Sequence, residues 1–542
     1  MKNIDLRTLS LYEVFSLNAK KRGDSTCFIF EKKSYSYAYV LNQIEKVAYL
    51  LVKHGVKFGD IITLVLPNIP QTEYLIYGAN KIGAIVHLIH PQSTKERLEG
   101  IIMKTGSKFV FSLETVLQEF LLVTKSPKAK LLTLSLESKQ SGFDLNKISN
   151  KKRLDSIIDF ENDLNITDNF KITKYIPRDT RITSYMFNGS GTNGISNIIE
   201  MSDYAINAAA PNIYQTFEVK DKTLNVSAYL PLFHILGFAI CMHQANCTGI
   251  SHTLCARFRL DEILEYIENG QMNVFIGAPV IFTSLLNHPK FEGKLVQNLK
   301  YAFVGADLVP HKLIDDFDEH MKKNNSSARL FEGYGLSETT ATSCVNTLKW
   351  YKRYTCGKPL PAAKYRIYDE ESNSLKESGT GELYIGGDCL CNGYFKADAE
   401  NAACFYYSDD GERYLKTGDI MKIDNEGYVS FLARKKRLIK VSGYSVFPSE
   451  IEQIAMSVDG IIKACAIGVP DGMTGHRIVL YYEAVRNIVE FRINLHEKCR
   501  TYLMPKAVPS EYICLDRIPI TPFLKTDANA LRNRFGPIEY NQ

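Results

Sequence analysis

Apolar positions in the first hundred residues switch repeatedly between two spacings. Residues 37–53 carry them at helical intervals up to Gly55, and 61–66 is then a short unbroken apolar run, as in a buried strand. The alternation continues with a helix over 71–81 ending at Gly83, a strand over 84–89, a helix over 94–103 and a strand over 108–112. Short apolar runs between longer helical patterns predict βαβ units and a mainly parallel sheet. Residues 125–153 are richer in Lys and Ser and are expected to cross the surface. A second α/β run covers 202–330, and shorter strands with Gly turns follow over 357–428. After Arg434 the pattern becomes a small α+β segment with a polar tail, and no internal repeat is visible.

Composition narrows the class. A length of 542 residues implies about three to four domains at ~150 residues each. With 45% hydrophobic and 23% charged residues and a mean hydropathy of −0.15, the chain is neither disordered, collagen-like nor a disulfide scaffold. A net charge of +5 from 65 basic and 60 acidic residues argues against nucleic acid as a partner. The most apolar window, 228–242, contains Pro231, His234 and Gly237 and falls short of the ~20 apolar residues of a membrane span. Asp5 and Arg7 interrupt any apolar leader, so no secretory signal is expected. Twelve cysteines without a CxxC pair suit reduced thiols and a cytoplasmic location. Cys241, His243, Cys247, His252 and Cys255 cluster without zinc-type spacing; they read as a buried helix followed by a strand.

The densest chemical signal is the glycine-rich stretch 186–197. Such loops free backbone N–H groups to converge on phosphate oxygens. A Walker loop requires Gly-Lys-Ser/Thr, but Gly194 is followed by Ile195 and Ser196. Gly189, Gly191 and Gly194 satisfy GxGxxG, yet 198–201 reads as a strand and the next helix begins only at Ser202, a candidate N-cap. A dinucleotide fingerprint opens a helix directly. The loop therefore reads as the tip of a hairpin whose first strand is 182–187, and a plain flexible hairpin is the bland alternative.

A third reading rests on resemblance. Ser190-Gly191-Thr192-Asn193-Gly194 followed by Ser202 is similar to the ATP loop of the adenylate-forming (ANL) superfamily, which includes acyl-CoA synthetases, firefly luciferase and nonribosomal-peptide adenylation domains. Further segments resemble that superfamily's motifs in order. Pro231-Leu-Phe-His234 resembles the segment lining the carboxylate pocket, and Gly305-Ala306-Asp307 the one along adenine. Tyr334-Gly-Leu-Ser337-Glu338 resembles Tyr-Gly-x-Thr-Glu, while Gly381-Glu-Leu and Gly393-Tyr-Phe fit the structural motif that follows. Lys416-Thr-Gly418-Asp419 resembles the ribose motif, Arg434 to Glu452 the hinge, and Pro519-Ile-Thr521-Pro-Phe-Leu-Lys525 the terminal lysine motif.

The resemblance implies an α/β fold: a large N-terminal domain of several mixed and parallel sheets flanked by helices (1–435), and a small mobile α+β lid (436–542). It implies attack of a carboxylate on the α-phosphate of ATP, giving an acyl-adenylate and pyrophosphate, then transfer to a thiol after the lid rotates about Lys436. The implied catalytic residues are Lys525, His234 and Glu338, with Glu338 and Thr192 on Mg²⁺. Nucleotide or CoA contacts fall to Ser190, Gly191, Thr192, Gly194, Gly305, Ala306, Tyr334, Ser337, Asp419, Arg434 and Gly443. Lys525 would place positive charge between the carboxylate and the α-phosphate, and Asp419 could accept from both ribose hydroxyls.

The family loop ends Gly-x-Pro-Lys-Gly, where this chain reads Gly194-Ile195-Ser196-Asn197-Ile198, and two positions elsewhere also depart from the pattern. Asn197 stands where a lysine meets the β- and γ-phosphates, Leu524 where a glycine precedes the terminal lysine, and Ala433 where a glycine precedes the hinge arginine. These changes bear on ATP affinity and loop mobility more than on fold. The leading expectation is an acyl-CoA synthetase for a fatty or aryl acid. Tyr229-Leu-Pro-Leu-Phe-His234 lacks the aspartate with which amino-acid domains hold an amine. The alternatives are a stand-alone ligase loading the phosphopantetheine thiol of an acyl or peptidyl carrier protein, and a degenerate non-catalytic member that binds a nucleotide or acyl-adenylate.

Overall fold

The structure, a computed structural model, describes residues 4–113, 130–134, 157–167, 169–189, 197–212, 223–485, 489–521 and 525–535. The N-terminal alternation is realised with small shifts at the ends. Helix Tyr37–Lys53 leads to strand Ile61–Val65, helix Pro70–Lys81 to strand Ile85–Leu88, and helix Lys95–Thr105 to strand Phe109–Leu113. The helix expected from residue 71 begins at Pro70, because a first-turn proline loses no intrahelical hydrogen bond.

These strands lie in an eight-stranded sheet ordered Gly393–Tyr394, Ile198–Ser202, Thr183–Asn188, Ile85–Leu88, Ile61–Val65, Phe109–Leu113, Lys130–Leu134, Ile157–Asp159. Its pairings are parallel except at the glycine-loop hairpin, where Ile198–Ser202 runs antiparallel to both neighbours. Lys130–Leu134 corrects the expectation that 125–153 simply crosses the surface: Leu131, Leu132 and Leu134 form a short apolar run that the polar residues around it obscured. The rest of that stretch lies outside the described residues.

The second run supplies a nine-stranded sheet with a parallel centre: Leu330–Tyr334, Tyr301–Val304, Val274–Gly277, Asn225–Ala228, Ser251–Leu254. The hairpin Thr26–Phe30/Lys33–Ser36 completes its far edge, although it precedes every strand of the first sheet in sequence. Helices Leu11–Arg22, Tyr37–Lys53 and Pro70–Lys81 belong to one apolar core shared by the two sheets, with Phe15, Tyr37 and Tyr77 fully buried. Six of the strands between 364 and 434, all but Gly393–Tyr394, form an antiparallel sheet. The C-terminal region is α+β: strands Ile461–Asp471, Gly475–Ala484 and Glu511–Leu515 pack with helices Pro448–Met456 and Val489–Tyr502 around their own core. No helix among the described residues is long and apolar enough to cross a membrane.

One buried ion pair ties these layers together. Asp203 Oδ2 accepts from Arg178 Nη2 at 2.7 Å and from Ser184 Oγ at 3.0 Å, while Asn80 Nδ2 donates to Oδ1 at 2.7 Å. Arg178 Nη1 also donates to the Asn80 carbonyl at 2.6 Å. With the two side chains 3% and 0% exposed, Asp203→Ala strands a buried guanidinium and is expected to cost about 3–5 kcal/mol. Urea unfolding followed by circular dichroism checks this; an unchanged midpoint would refute it.

Candidate active site

The strand ends of the nine-stranded sheet and the long strands of the antiparallel sheet face one cavity of about 540 Å³. After strand Asn225–Ala228 the chain turns through Pro231 to His234 and enters a π-helix, Leu236–His243, continued by helix Gln244–Thr248. Asn68 fixes this turn: its amide donates to the Ala228 and Leu230 carbonyls at 3.0 and 2.8 Å and accepts from Leu232 N–H at 2.9 Å. Gly237 allows the close approach, since a Cβ there would lie 2.3 Å from the Pro231 carbonyl oxygen. His234 lines the cavity; burial, with Lys525 adding repulsion, holds it at about 4, so the ring is neutral at neutral pH.

Gly305 and Ala306 follow strand Tyr301–Val304 and line the same cavity. Ala306 has φ +70°, a left-handed conformation costing a β-carbon residue about 1–2 kcal/mol and characteristic of functional turns. Tyr334 ends strand Leu330–Tyr334, and Ser337 and Glu338 open the short turn Ser337–Thr339; all three are cavity residues. Gly335 between them tolerates no side chain, because a Cβ would lie 1.6 Å from the Ala341 carbonyl oxygen. Tyr394 donates to Glu338 Oε1 at 2.9 Å.

Asp419 and Arg434 are register partners on antiparallel neighbours Arg413–Ile423 and Val429–Arg434. Arg434 Nε lies 2.9 Å from Asp419 Oδ1, an ionic contact without hydrogen-bond alignment, while Tyr334 donates to Oδ2 at 2.5 Å. Burial raises the Asp419 carboxyl, opposed by Arg434 and then Tyr334. Arg434 lines the cavity, but Asp419 is 0% exposed and sits behind Tyr334.

Lys525 comes from the far C-terminus into this space. Thr521 N–H donates to its carbonyl at 2.7 Å, and Thr526 donates to Asp307 Oδ2 from its backbone N–H at 3.1 Å. Burial and then Arg434 lower the Lys525 ammonium, while Asp307, Asp419 and Glu338 pull it up. The structure thus brings His234, Gly305, Ala306, Tyr334, Ser337, Glu338, Arg434 and Lys525 to one cavity. Gly443 lies apart, in an exposed turn at φ +82° between strands Ile439–Val441 and Tyr444–Val446. Ser190, Gly191, Thr192 and Gly194 lie outside the described residues, but Gly189 reaches the cavity and donates to the Asn197 carbonyl at 2.9 Å. Asn68, Tyr394 and Asp307 are contributors that motif reading left without a role: they act by supporting other groups.

Among the described residues, no three His, Cys, Asp or Glu side chains converge to hold a metal unaided. Mg²⁺ commonly takes one or two carboxylates and completes its shell with phosphates and water. Glu338 suits that role, with Oε1 held by Tyr394 and the residue facing the cavity. In the cysteine–histidine cluster, His243 lies between Tyr77 Oη at 2.9 Å and Asn207 Oδ1 at 2.8 Å with Cys247 Sγ also 3.1 Å from its Nε2, and His252 contacts Glu73 at 3.1 Å.

A family profile described as AMP-binding enzyme matches residues 15–395. The chain belongs to the AMP-binding enzyme family. The profile of that family's C-terminal domain matches residues 450–525, ending on Lys525. A Bacillus subtilis (strain 168) long-chain-fatty-acid–CoA ligase is 26% identical over 96% of this chain and 93% of its own length. A Dictyostelium discoideum protein described as probable 4-coumarate–CoA ligase 1 is 26% identical over 82% of this chain and 80% of its own. In fold, the chain is similar to ATP-bound MatB from Rhodopseudomonas palustris, with TM-score 0.84 at 19% identity, covering 97% and 99% of the two chains. It is likewise similar to the anthranilate CoA ligase AuaEII in complex with anthranoyl-AMP, with TM-score 0.84 at 16% identity and 98% of each chain covered.

Proposed function

We propose that this AMP-binding enzyme is an acid–thiol ligase that activates a fatty or aryl acid with ATP and passes the acyl group to coenzyme A. A carboxylate oxygen attacks the α-phosphorus and pyrophosphate leaves; the thiol sulfur then attacks the acyl carbon and AMP leaves. The observation that carries this reading is Lys525, delivered by the C-terminal region into the cavity that holds His234, Glu338 and Arg434. Two anions must meet in the first step, and a positive charge fixed where negative charge develops is worth most in a site shielded from water. The neutral His234 packs beside the acid without adding charge. Bound at Glu338, Mg²⁺ would neutralise phosphate charge. Tyr334 offers adenine a flat face, and Asp419 offers the ribose a carboxylate.

Carboxylate-dependent exchange of labelled pyrophosphate into ATP, over a panel of fatty, aryl and short-chain acids, tests the first step. Exchange with one class, and thioester formation when CoA is supplied, is the expected result. Exchange without thioester on CoA, but with transfer to an acylatable carrier protein, would replace CoA by the carrier's identical arm. Asn197 motivates the non-catalytic reading, and absence of exchange with every acid would refute both ligase readings and favour that one. The free thiols of all twelve cysteines support a cytoplasmic setting.

Residues 436–542 act in this proposal as a lid that turns between the two steps. Gln453 clamps the present arrangement: its amide donates to the Val309 carbonyl at 2.7 Å and accepts from His311 N–H at 3.0 Å. Two such bonds are worth about 2 kcal/mol net. Gln453→Ala should therefore slow adenylation about 10-fold or more and leave thioester formation from preformed acyl-adenylate nearly unchanged. Equal slowing of both steps, each measured in a single turnover, would count against the lid.

A further inference from the structure

The helix leading away from His234 carries a buried polar side chain with no hydrogen-bond partner among the described residues. Gln244 is 1% exposed, lines the active-site cavity, and has no hydrogen bond at either Oε1 or Nε2 among the described residues. Polar side chains nearby on the same helical stretch are satisfied. His243 contacts Tyr77 and Asn207, Asn246 donates to Glu73 at 2.7 Å, and Thr248 donates back to the Gln244 carbonyl at 2.8 Å. The orphan amide is thus a local exception in a well-paired region, and buried amides without partners are rare.

Its position says which part of a ligand it would meet. Gln244 lies eight positions beyond Leu236, roughly 12 Å along the axis at an α-helical rise and somewhat less in the π form. Ile240 lies between them on the cavity wall, and Ile276, Phe303 and Val304 from the sheet also line it. The charged lining residues Glu338, Glu382, Lys416, Arg434, Lys436 and Lys525 come from the segments of the motif residues, not from this helix or those two strands. A carboxylate placed beside His234 and Lys525 would direct the remainder of the acid along apolar walls towards a neutral amide.

We propose that the acid activated here carries a neutral hydrogen-bonding group, a hydroxyl or carboxamide, at the end distal to its carboxyl, and that Gln244 reads that group. The proposal rests on the ligase reading above and narrows its substrate class. Gln244 can donate and accept at once. A plain alkyl or phenyl terminus would leave the amide buried and unpaired, which is how a site built for a polar group rejects the analogue that lacks it.

Matched acids decide the matter in the pyrophosphate exchange assay: alkanoates of graded length against their ω-hydroxy and ω-carboxamide forms, and cinnamate against 4-hydroxycinnamate. The wild-type enzyme should favour the functionalised member of its best pair by about 10-fold or more in kcat/KM. Gln244→Leu should reverse that preference, raising the plain acid and lowering its polar partner. Gln244→Met serves the same purpose should the leucine variant not fold, and the wild-type ratios stand without either. Equal kcat/KM across every wild-type pair, as a resident water on the amide would give, overturns the proposal and leaves the ligase reading intact. A preference that persists unchanged in the variants overturns it equally. No exchange with any acid, plain or functionalised, overturns both.

Discussion

Lys525→Ala is expected to lower acid-dependent pyrophosphate exchange by about 10²–10³-fold, the loss that follows removal of one charge-stabilising group from a preorganised site. Conversion of preformed acyl-adenylate and CoA to thioester should fall no more than a few-fold. The asymmetry follows from where the lysine sits. Its chain position is fixed by the Thr521 and Thr526 contacts and its ammonium shares a cavity with His234 and Glu338, a geometry suited to a carboxylate meeting a phosphate. If the lid turns away for the second step, the ammonium leaves with it. Equal loss in both half-reactions would mean that Lys525 serves binding in general and that no such rotation separates the steps.

The same environment predicts a pH signature. Burial and Arg434 lower the Lys525 pKa, so before the phosphates bind the ammonium loses its proton below the ~10.4 of a free lysine. Exchange measured as kcat/KM should then decline with rising pH earlier than an ordinary lysine allows, and Lys525→Arg, whose charge does not titrate, should abolish that decline. His234, held at about 4, is neutral throughout this range and contributes nothing to it. A decline that survives Lys525→Arg would assign it to another group.

The periodicity of the first hundred residues located six elements to within a residue or two because each apolar run is bounded by glycine, proline or a cap. Ser202 caps its helix by accepting from Ala205 N–H at 3.1 Å, the local bond that its position suggested. Three things were not legible. The hairpin from Thr26 to Ser36 joins the second sheet, a choice made by the distant strand Ser251–Leu254 and not by its own pattern. Lys130–Leu134 was hidden by polar flanks. Asn68 is an unremarkable loop asparagine until three backbone groups around Leu230 converge on it. Of the candidate residues that motif order singled out, His234, Gly305, Ala306, Tyr334, Ser337, Glu338, Arg434 and Lys525 line one cavity, several of them at strand ends or tight turns. Asp419 is buried within a strand, and Gly443 lies apart. Motif order gave no hint of Gln244, whose meaning depends on an amide left unpaired among the described residues.

Asp419→Asn is expected to raise the KM for ATP by about 10²-fold or more, since a carboxylate that accepts from two ribose hydroxyls loses charge-assisted hydrogen bonds each worth about 1.5–3 kcal/mol. In the structure that carboxylate is engaged: Tyr334 donates to one oxygen, Arg434 lies against the other, and none of it is exposed. If Asp419 receives the ribose as proposed, a contact must give way first, and Tyr334 is the group in the way. Tyr334→Phe keeps a ring for adenine and removes the competitor, so its KM for ATP should stay near the wild-type value or fall. The sugar supplies the control. ATP lacking the 2′ or 3′ hydroxyl should bind the wild-type protein more weakly, yet cost Asp419→Asn little further, because the partner of the missing hydroxyl is already impaired. If the deoxy analogues lose affinity equally for both proteins, the two changes are independent. Asp419 would then hold Tyr334 and Arg434 in place without touching the ribose.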